Sequence, residues 1–580
     1  MKNVKTLITI LILFIYAPLA SSEEITLDQA RRIAEDFFNL SYRARNHAMV
    51  DLQMVWSGNV VQTKSSSEVP AFYVFDNALG PGFVVVAGDD VAKPILGYSF
   101  ESEFVVDNMP SNVKSWFDDI EVAVQQARKS PEVYYSSDPY VGNIVLEIET
   151  AKWDQSAPYN NFCPMDGDSR SVTGCVATAI AILMRYHQWP ECGVGTIPSY
   201  VTSTKGISVP AIELGHSYDW DNMPLVYPTR PTAAQENAVA RLMADCGAMV
   251  EMDYTSSSSG AQTIGIPDVL SRYMGYDISA GHYQRKYYTD EQWHSMIQNE
   301  LIENGPVFYR GHGENYGHVF ILDGFTDAEY YRLNWGWGGE YNGYFTLDAL
   351  NPQQNYEYNQ SQMAILNVKK NQGGYPEIRG IISKYDGLSS LKADRTVFEP
   401  GVTFKLSTGL LVNSGSQQFS GLIGFIIVDA EQNVKEVLYT HKVDLQPNWG
   451  TRFSNMSLKF KSDLNFGDCL IAAMYDERNS KWVKFIADQT NGSVDAIPLC
   501  SIAGTTSFEY NTSTRIITLN TKNGLEAYVV TEGGTVIDGA VEYAERTITI
   551  DTSSMEKGRY RLCLYNKYEE TELVFVVGEK

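Results

Sequence analysis

Cysteine is scarce in this sequence, and its few copies are not paired in any recognisable spacing. Seven occur in 580 residues, at positions 163, 175, 192, 246, 469, 500 and 563, with no C-x-x-C among them. That argues against a zinc ribbon and against a thioredoxin-like site. Cys163, His187 and Cys192 match no standard ligand spacing, so neither a metal nor an organic cofactor is expected. Positive charge is also short. Lys and Arg number 45 against 70 Asp and Glu, a net charge of −25, which argues against a nucleic-acid partner because phosphate binding needs clustered cations. Long apolar runs are missing after the first residues: no later stretch holds about 18 uninterrupted apolar residues, so no integral membrane segment is expected.

What is present begins with an export label. Lys2 and Lys5 precede an apolar run from Leu7 to Tyr16, and Ala20-Ser21-Ser22 supplies small residues for cleavage. Residues 1–22 therefore read as a signal peptide, and the mature chain is expected to be extracellular, on the cell surface or periplasmic. No cysteine stands at the cleavage point, which argues against a lipoprotein. The odd thiol count makes one cysteine a candidate for reactivity.

The pattern predicts several domains. Leu27 to Phe38 reads as a helix with Thr26 and Gln29 as a capping box, followed by strands between Ala71 and Leu96 and a second amphipathic helix over 113–128. These pieces form a mixed domain over 23–135, joined to the next through a Ser- and Pro-containing linker. A second domain, 136–370, holds an apolar helix over 174–186, a helix candidate over 232–250, a Ser/Gly-rich loop at 254–263 that reads as mobile, and aromatic-rich strands. Beyond it the text is strand and turn, suggesting a β-sandwich domain at 371–500 and a small β-domain at 501–580. The fold class is α+β.

Three segments carry chemistry. Cys175 stands at the start of the apolar helix, with Thr173 as its expected cap, where unpaired backbone N–H groups favour a thiolate and lower the thiol pKa. His318 in "YGHVFILDGF" and Asn334 in "YYRLNWGWGG" lie on two expected strands of one hairpin. A turn centred on Thr326 sets them directly opposite, about 5 Å apart, and a shifted turn sets them diagonally. A histidine so placed can serve as base, with the Asn oxygen fixing its tautomer. Gln155, in "AKWDQSAPYN", can donate to an oxyanion together with the Cys175 N–H. Trp335 and Trp337 can cover the His–Asn pair. His216, His282, His294 and His312 fit no ligand or triad pattern. The tandem serines near 256 lack the G-x-S-x-G turn of a serine nucleophile.

The order Gln, Cys, His, Asn-Trp, carried by "WDQSAPYN", "TGCVATAIAILMRYHQWP", "GHVFILDGF" and "RLNWGWGGEYNGYF", resembles the streptopain family of papain-like cysteine peptidases. The region 23–128 also resembles that family's inhibitory pro-segment. The resemblance implies a papain-like catalytic domain, with Cys175 as nucleophile, His318 as base, Asn334 as orienter, Gln155 as oxyanion donor and Trp335 beside the site. It implies loops near 254–263 and 311–316 at the cleft, protein or peptide substrates, and the chain's own pro-domain as intramolecular inhibitor. The function expected is that of a secreted cysteine endopeptidase made as a zymogen. The alternatives are an acyltransferase or amidase using the same triad, and a surface-binding protein with an inert peptidase-like domain. The tail after about 370 is not needed for the match.

Overall fold

Thr26 and Gln29 open the first helix reciprocally. In the computed structural model Thr26 N–H donates to Gln29 Oε1 at 2.8 Å and Gln29 N–H donates to Thr26 Oγ1 at 3.4 Å, a capping box. The structure describes residues 23–41, 50–58, 69–107, 109–129, 135–312, 317–347, 362–489, 492–500, 507–511, 515–520, 525–531, 534–537, 539–544, 547–566 and 570–577. The signal segment, linker residues 130–134 and loop residues 313–316 lie outside the described residues.

Two compact units divide the chain, one built from 1–263 and 294–364, the other from 264–293 and 365–580. The segment 264–293, read from the sequence as part of the 136–370 domain, thus groups with the C-terminal strands.

In the first unit, α1 (Leu27–Ser41) buries Ala30, Ile33, Ala34, Phe37 and Phe38. Full burial of a Phe stabilises by roughly 1.5–3 kcal/mol, so this face fixes α1 to the sheet beneath it. That sheet runs β1 (Leu52–Ser57), β2 (Phe72–Asn77), β3 (Phe83–Ala87) and β4 (Ile95–Ser99), then continues without a break into β9, β8, β7 and β6. The last four are β6 (Val307–His312), β7 (Gly317–Thr326), β8 (Tyr330–Asn334) and β9 (Gly343–Thr346), with β5 (Ile144–Glu147) pairing on β7. All these pairings are antiparallel.

The join between the N-terminal and the following domain is the β4–β9 pair, with Tyr98 opposite Tyr344 and Gly97 opposite Phe345. A Cβ on Gly97 would lie 2.3 Å from the Phe345 ring, so only glycine admits that ring at the seam. Helix α2 (Ser111–Lys129) crosses the same junction, with the Trp116 ring 4.9 Å from Phe345 and 6.5 Å from Trp335. On the other side, α3 (Cys175–His187) is buried from Val176 to Met184 and packs on α4 (Ala233–Met249) and on β7. Its all-round apolar surface is why it sits inside rather than on the outside.

The second unit is almost wholly β. One large sheet contains β10 (Gly380–Ser383), β11 (Leu410–Asn413), β12 (Phe419–Val428), β13 (Val434–Leu445), β14 (Cys469–Asp476) and β15 (Lys481–Ala487). A three-stranded sheet holds Phe404, Leu406 and Leu458, which share an apolar core with Phe425, Leu470 and Phe485 of the large sheet. Further four- and three-stranded sheets follow after residue 507.

Candidate active site

Cys175 is the first residue of α3, and the residue capping the helix is Gly174, not Thr173. Thr173 instead shares a hydrogen bond of 2.8 Å with the Thr178 hydroxyl. Gly174 has φ +84°, and a Cβ there would stand 2.8 Å from the Ser259 carbonyl oxygen and 2.9 Å from Met252 Sδ. Both the left-handed backbone and the close approach require glycine. The Ser/Gly loop is therefore packed against the base of the nucleophile helix. It is also pinned: Ser259 Oγ donates to the Val172 carbonyl at 2.8 Å and Ser256 N–H to Asp166 at 2.9 Å. The sequence reading of a mobile loop missed these local side-chain bonds.

Cys175 is partly exposed, whereas Cys163, Cys246, Cys500 and Cys563 are buried, and none of the seven cysteines is in a disulfide. Burial pushes the Cys163 thiol up to about 12. Burial also raises the Cys175 thiol above its ordinary value, against the backbone N–H groups of Val319, Val176 and Cys175 itself, which pull it down. The sequence argument weighed the helix start alone. In this closed form the opposing effect of burial is larger.

His318 follows Gly317 at the start of β7, opposite Gly311, and is 2% exposed. Its Nε2 has no hydrogen-bond partner. The nearest carboxylate is Asp119 of α2, with Oδ2 at 3.7 Å. Gln155 is 4% exposed, and its Nε2 also lacks a hydrogen-bond partner. The Gln155 carbonyl accepts from Thr173 N–H at 3.1 Å, which ties this loop to the chain just before the nucleophile. Buried donors are normally satisfied. These two unsatisfied side-chain nitrogens lie in segments that flank one partly exposed thiol.

Asn334 ends β8 and is 1% exposed. It does not face His318 across the ladder: it pairs with Ile321, because the register slips between Leu322 and Gly324 and the turn is centred beyond Thr326. Its Nδ2 donates to Thr150 Oγ1 and to the Ala151 carbonyl, both at 2.9 Å, and its Oδ1 accepts from Gly336 N–H at 3.1 Å. Trp335 is buried, its Nε1 donating to the Tyr341 carbonyl at 3.1 Å and its ring 5.0 Å from Phe320. Trp337 Nε1 donates to Asn112 Oδ1 of α2 at 2.6 Å, and Asn112 Nδ2 returns a bond to the Trp335 carbonyl at 3.1 Å.

Six residues of consequence, Asp119, Asp323, Thr150, Arg332, Glu101 and Lys152, were missed from sequence. Asp119 gave no signal beyond being one of two adjacent acids in an amphipathic helix. Asp323 could have been noticed as a lone acid in an apolar strand. It is fully buried, its carboxylate accepting from Thr150 and pairing with Arg332 Nη1 at 2.8 Å, and burial pushes it up to about 6. Arg332 also holds Glu101 of the N-terminal domain at 2.6 Å, and Lys152 holds the same carboxylate at 2.9 Å. Burial opposes ionisation of Glu101, but these two cations keep it below the usual carboxylate range.

Other histidines have structural partners: His216 pairs with Asp245 at 2.7 Å, His294 with the Tyr331 hydroxyl at 2.7 Å and His187 with the Asn304 carbonyl at 3.0 Å. Among the described residues no three His, Cys, Asp or Glu side chains gather to hold a metal ion. Among the described residues no helix is long and apolar enough to cross a membrane.

Comparison with known proteins shows the family of two domains. Residues 153–345 match the Peptidase C10 family and residues 22–124 match the Spi protease inhibitor family. Streptopain of Streptococcus pyogenes is 34% identical over 300 residues, covering 48% of this chain and 74% of streptopain. The thiol protease/hemagglutinin PrtT of Porphyromonas gingivalis is 29% identical over 360 residues, 59% of this chain but only 41% of PrtT. A prointerpain A fragment of Prevotella intermedia is 31% identical, covering 55% of this chain and all of the fragment, with a TM-score of 0.45. An inhibitor-type N-terminal domain thus precedes a peptidase domain, and the chain belongs to the Peptidase C10 family of cysteine endopeptidases.

Proposed function

We propose that this chain is an exported cysteine endopeptidase held latent by its own N-terminal domain, with Cys175, His318, Asn334 and Gln155 as the reacting constellation. The observation that carries the reading is the pair of buried, unpartnered nitrogens, Gln155 Nε2 and His318 Nε2, in the segments flanking a helix-start thiol. His318 takes the proton of Cys175, and the thiolate attacks a peptide carbonyl. The oxyanion that develops is met by Gln155 Nε2 and the Cys175 N–H. His318 then protonates the departing amine, the C–N bond breaks, and a thioester remains on Cys175. Water, deprotonated by His318, hydrolyses the thioester and regenerates the thiol. Asn334 orients the imidazole and Trp335 keeps water from it.

Latency follows from α2. Its Asp119 faces His318 Nε2, its Asn112 ties down both Trp335 and Trp337, and no hydrogen bond joins His318 to Asn334 among the described residues. The imidazole thus faces a carboxylate of the inhibitor domain and makes no hydrogen bond to the residue that should orient it. Cleavage in the 129–152 segment, on the N-terminal side of β5, would free α2 and leave Thr150 in place. Separating intact precursor from processed enzyme tests this: activity should belong to the processed form alone, and equal activity in both would remove the latency claim.

A further inference from the structure

Asn334 is useful only if its amide points the right way, oxygen toward the imidazole and NH2 away from it. We propose that the buried pair Thr150 and Asp323 is a positioning device for the orienting asparagine. The proposal rests on the reading of Asn334 given above.

The argument starts from the ladder. Leu322 pairs with Leu333 and Gly324 with Arg332, so Asp323 is the extra residue of a β-bulge in β7. Bulges re-aim a side chain, and here the carboxylate is turned inward with 0% exposure. Leaving a charge there is costly unless every neighbour answers it. Two partners meet its Oδ2, Arg332 Nη1 at 2.8 Å and the Thr150 hydroxyl, while Oδ1 has no hydrogen-bond partner.

A hydroxyl has one hydrogen. Thr150 gives its hydrogen to an ionised carboxylate, which can only accept. Its oxygen is then committed to receiving from Asn334 Nδ2 at 2.9 Å. The Ala151 carbonyl, also 2.9 Å from Nδ2, can only accept as well. Both amide hydrogens are thereby spoken for, and Oδ1 is left as the acceptor, here of the Gly336 N–H. Without the carboxylate, Thr150 could donate to Asn334 instead. A flipped amide would offer its NH2 to an imidazole N–H, donor against donor.

Arg332 gives this pair a second setting. While the inhibitor domain is docked, Arg332 divides its guanidinium between Glu101 at 2.6 Å and Asp323 at 2.8 Å. Removing that domain leaves Asp323 as the carboxylate within hydrogen-bond distance, so the device is firmest in the processed enzyme.

The test is a double-mutant cycle in the processed enzyme, reading kcat and KM on a peptide substrate. Thr150→Val keeps the shape and removes the hydroxyl. It should lower kcat about 10-fold with KM within two-fold, because the two other bonds to the amide persist. Thr150→Ser should restore kcat. In the Asn334→Ala background Thr150→Val should lower kcat no further. If Thr150→Val acts equally in both backgrounds, or leaves kcat at the wild-type value while Asn334→Ala lowers it, the positioning role is overturned and Asn334 keeps its own. If Asn334→Ala itself leaves kcat unchanged, the orienting role of Asn334 fails and takes this inference with it. Should Thr150→Val not accumulate, Thr150→Ala run through the same cycle gives the same discrimination.

Discussion

Asp119→Asn should shorten the life of the precursor. The Asp119 carboxylate lies 3.7 Å from His318 Nε2, with the two side chains 13% and 2% exposed. At an effective dielectric of about 20 two unit charges at that distance attract by roughly 4.5 kcal/mol as an upper limit. Desolvation of both partners offsets much of this, leaving about 1–2 kcal/mol. Since 1.4 kcal/mol is tenfold, the docked state of the inhibitor domain should weaken about 10-fold, and self-processing should accelerate by a similar factor. The assay is the half-time for conversion of full-length precursor on a gel, at one protein concentration. The control is Asp118→Asn. That neighbour is 48% exposed and pairs with Lys114 at 2.8 Å, an exposed i,i+4 pair contributing only a few tenths of a kcal/mol. If Asp119→Asn converts no faster than Asp118→Asn, the contact with His318 is not what restrains the enzyme.

Two further expectations concern the same machinery. Glu101 is held below the usual carboxylate range, so the docking it supports is present above its free pKa and is lost as pH falls through the lowered one. Glu101→Gln precursor should therefore process faster than wild type near pH 6 and respond less to acidification to about pH 4, just below the free carboxylate value, read from conversion half-times at the two pH values; an unchanged acid response would remove Glu101 from the docking account. Gln155→Ala should lower kcat about 10²- to 10³-fold with little change in KM, as loss of one oxyanion donor does; a loss of KM alone, measured by steady-state kinetics on the processed enzyme, would assign Gln155 to substrate binding.

Much of this architecture was legible because local signals were strong. The apolar run after Cys175 permits only a buried helix, and the Thr26–Gln29 spacing defines where α1 begins. The Cys, His and Asn–Trp segments could be named because each combines a reactive side chain with a recognisable turn or strand. What could not be read were the long-range choices. The pairing of Asn334 with Ile321 depends on a bulge at Asp323, and a bulge shifts register without changing the alternation that reveals a strand. The cap at Gly174 depends on Ser259 and Met252, far along the chain. Asp119 acquires meaning only once α2 crosses the seam between β4 and β9. The thiol pKa also needed tertiary structure, since burial outweighs the helix start.

The most direct test of the central claim is a gel time course of wild-type and Cys175→Ala precursors under mild reduction, with and without a denatured protein substrate. The account predicts that wild type shortens itself and then cuts the substrate, while Cys175→Ala stays whole and leaves the substrate intact. Wild type that neither processes nor cuts, even after residues up to about 135 are removed by another protease, would contradict it, as would substrate cleavage by Cys175→Ala at the wild-type rate.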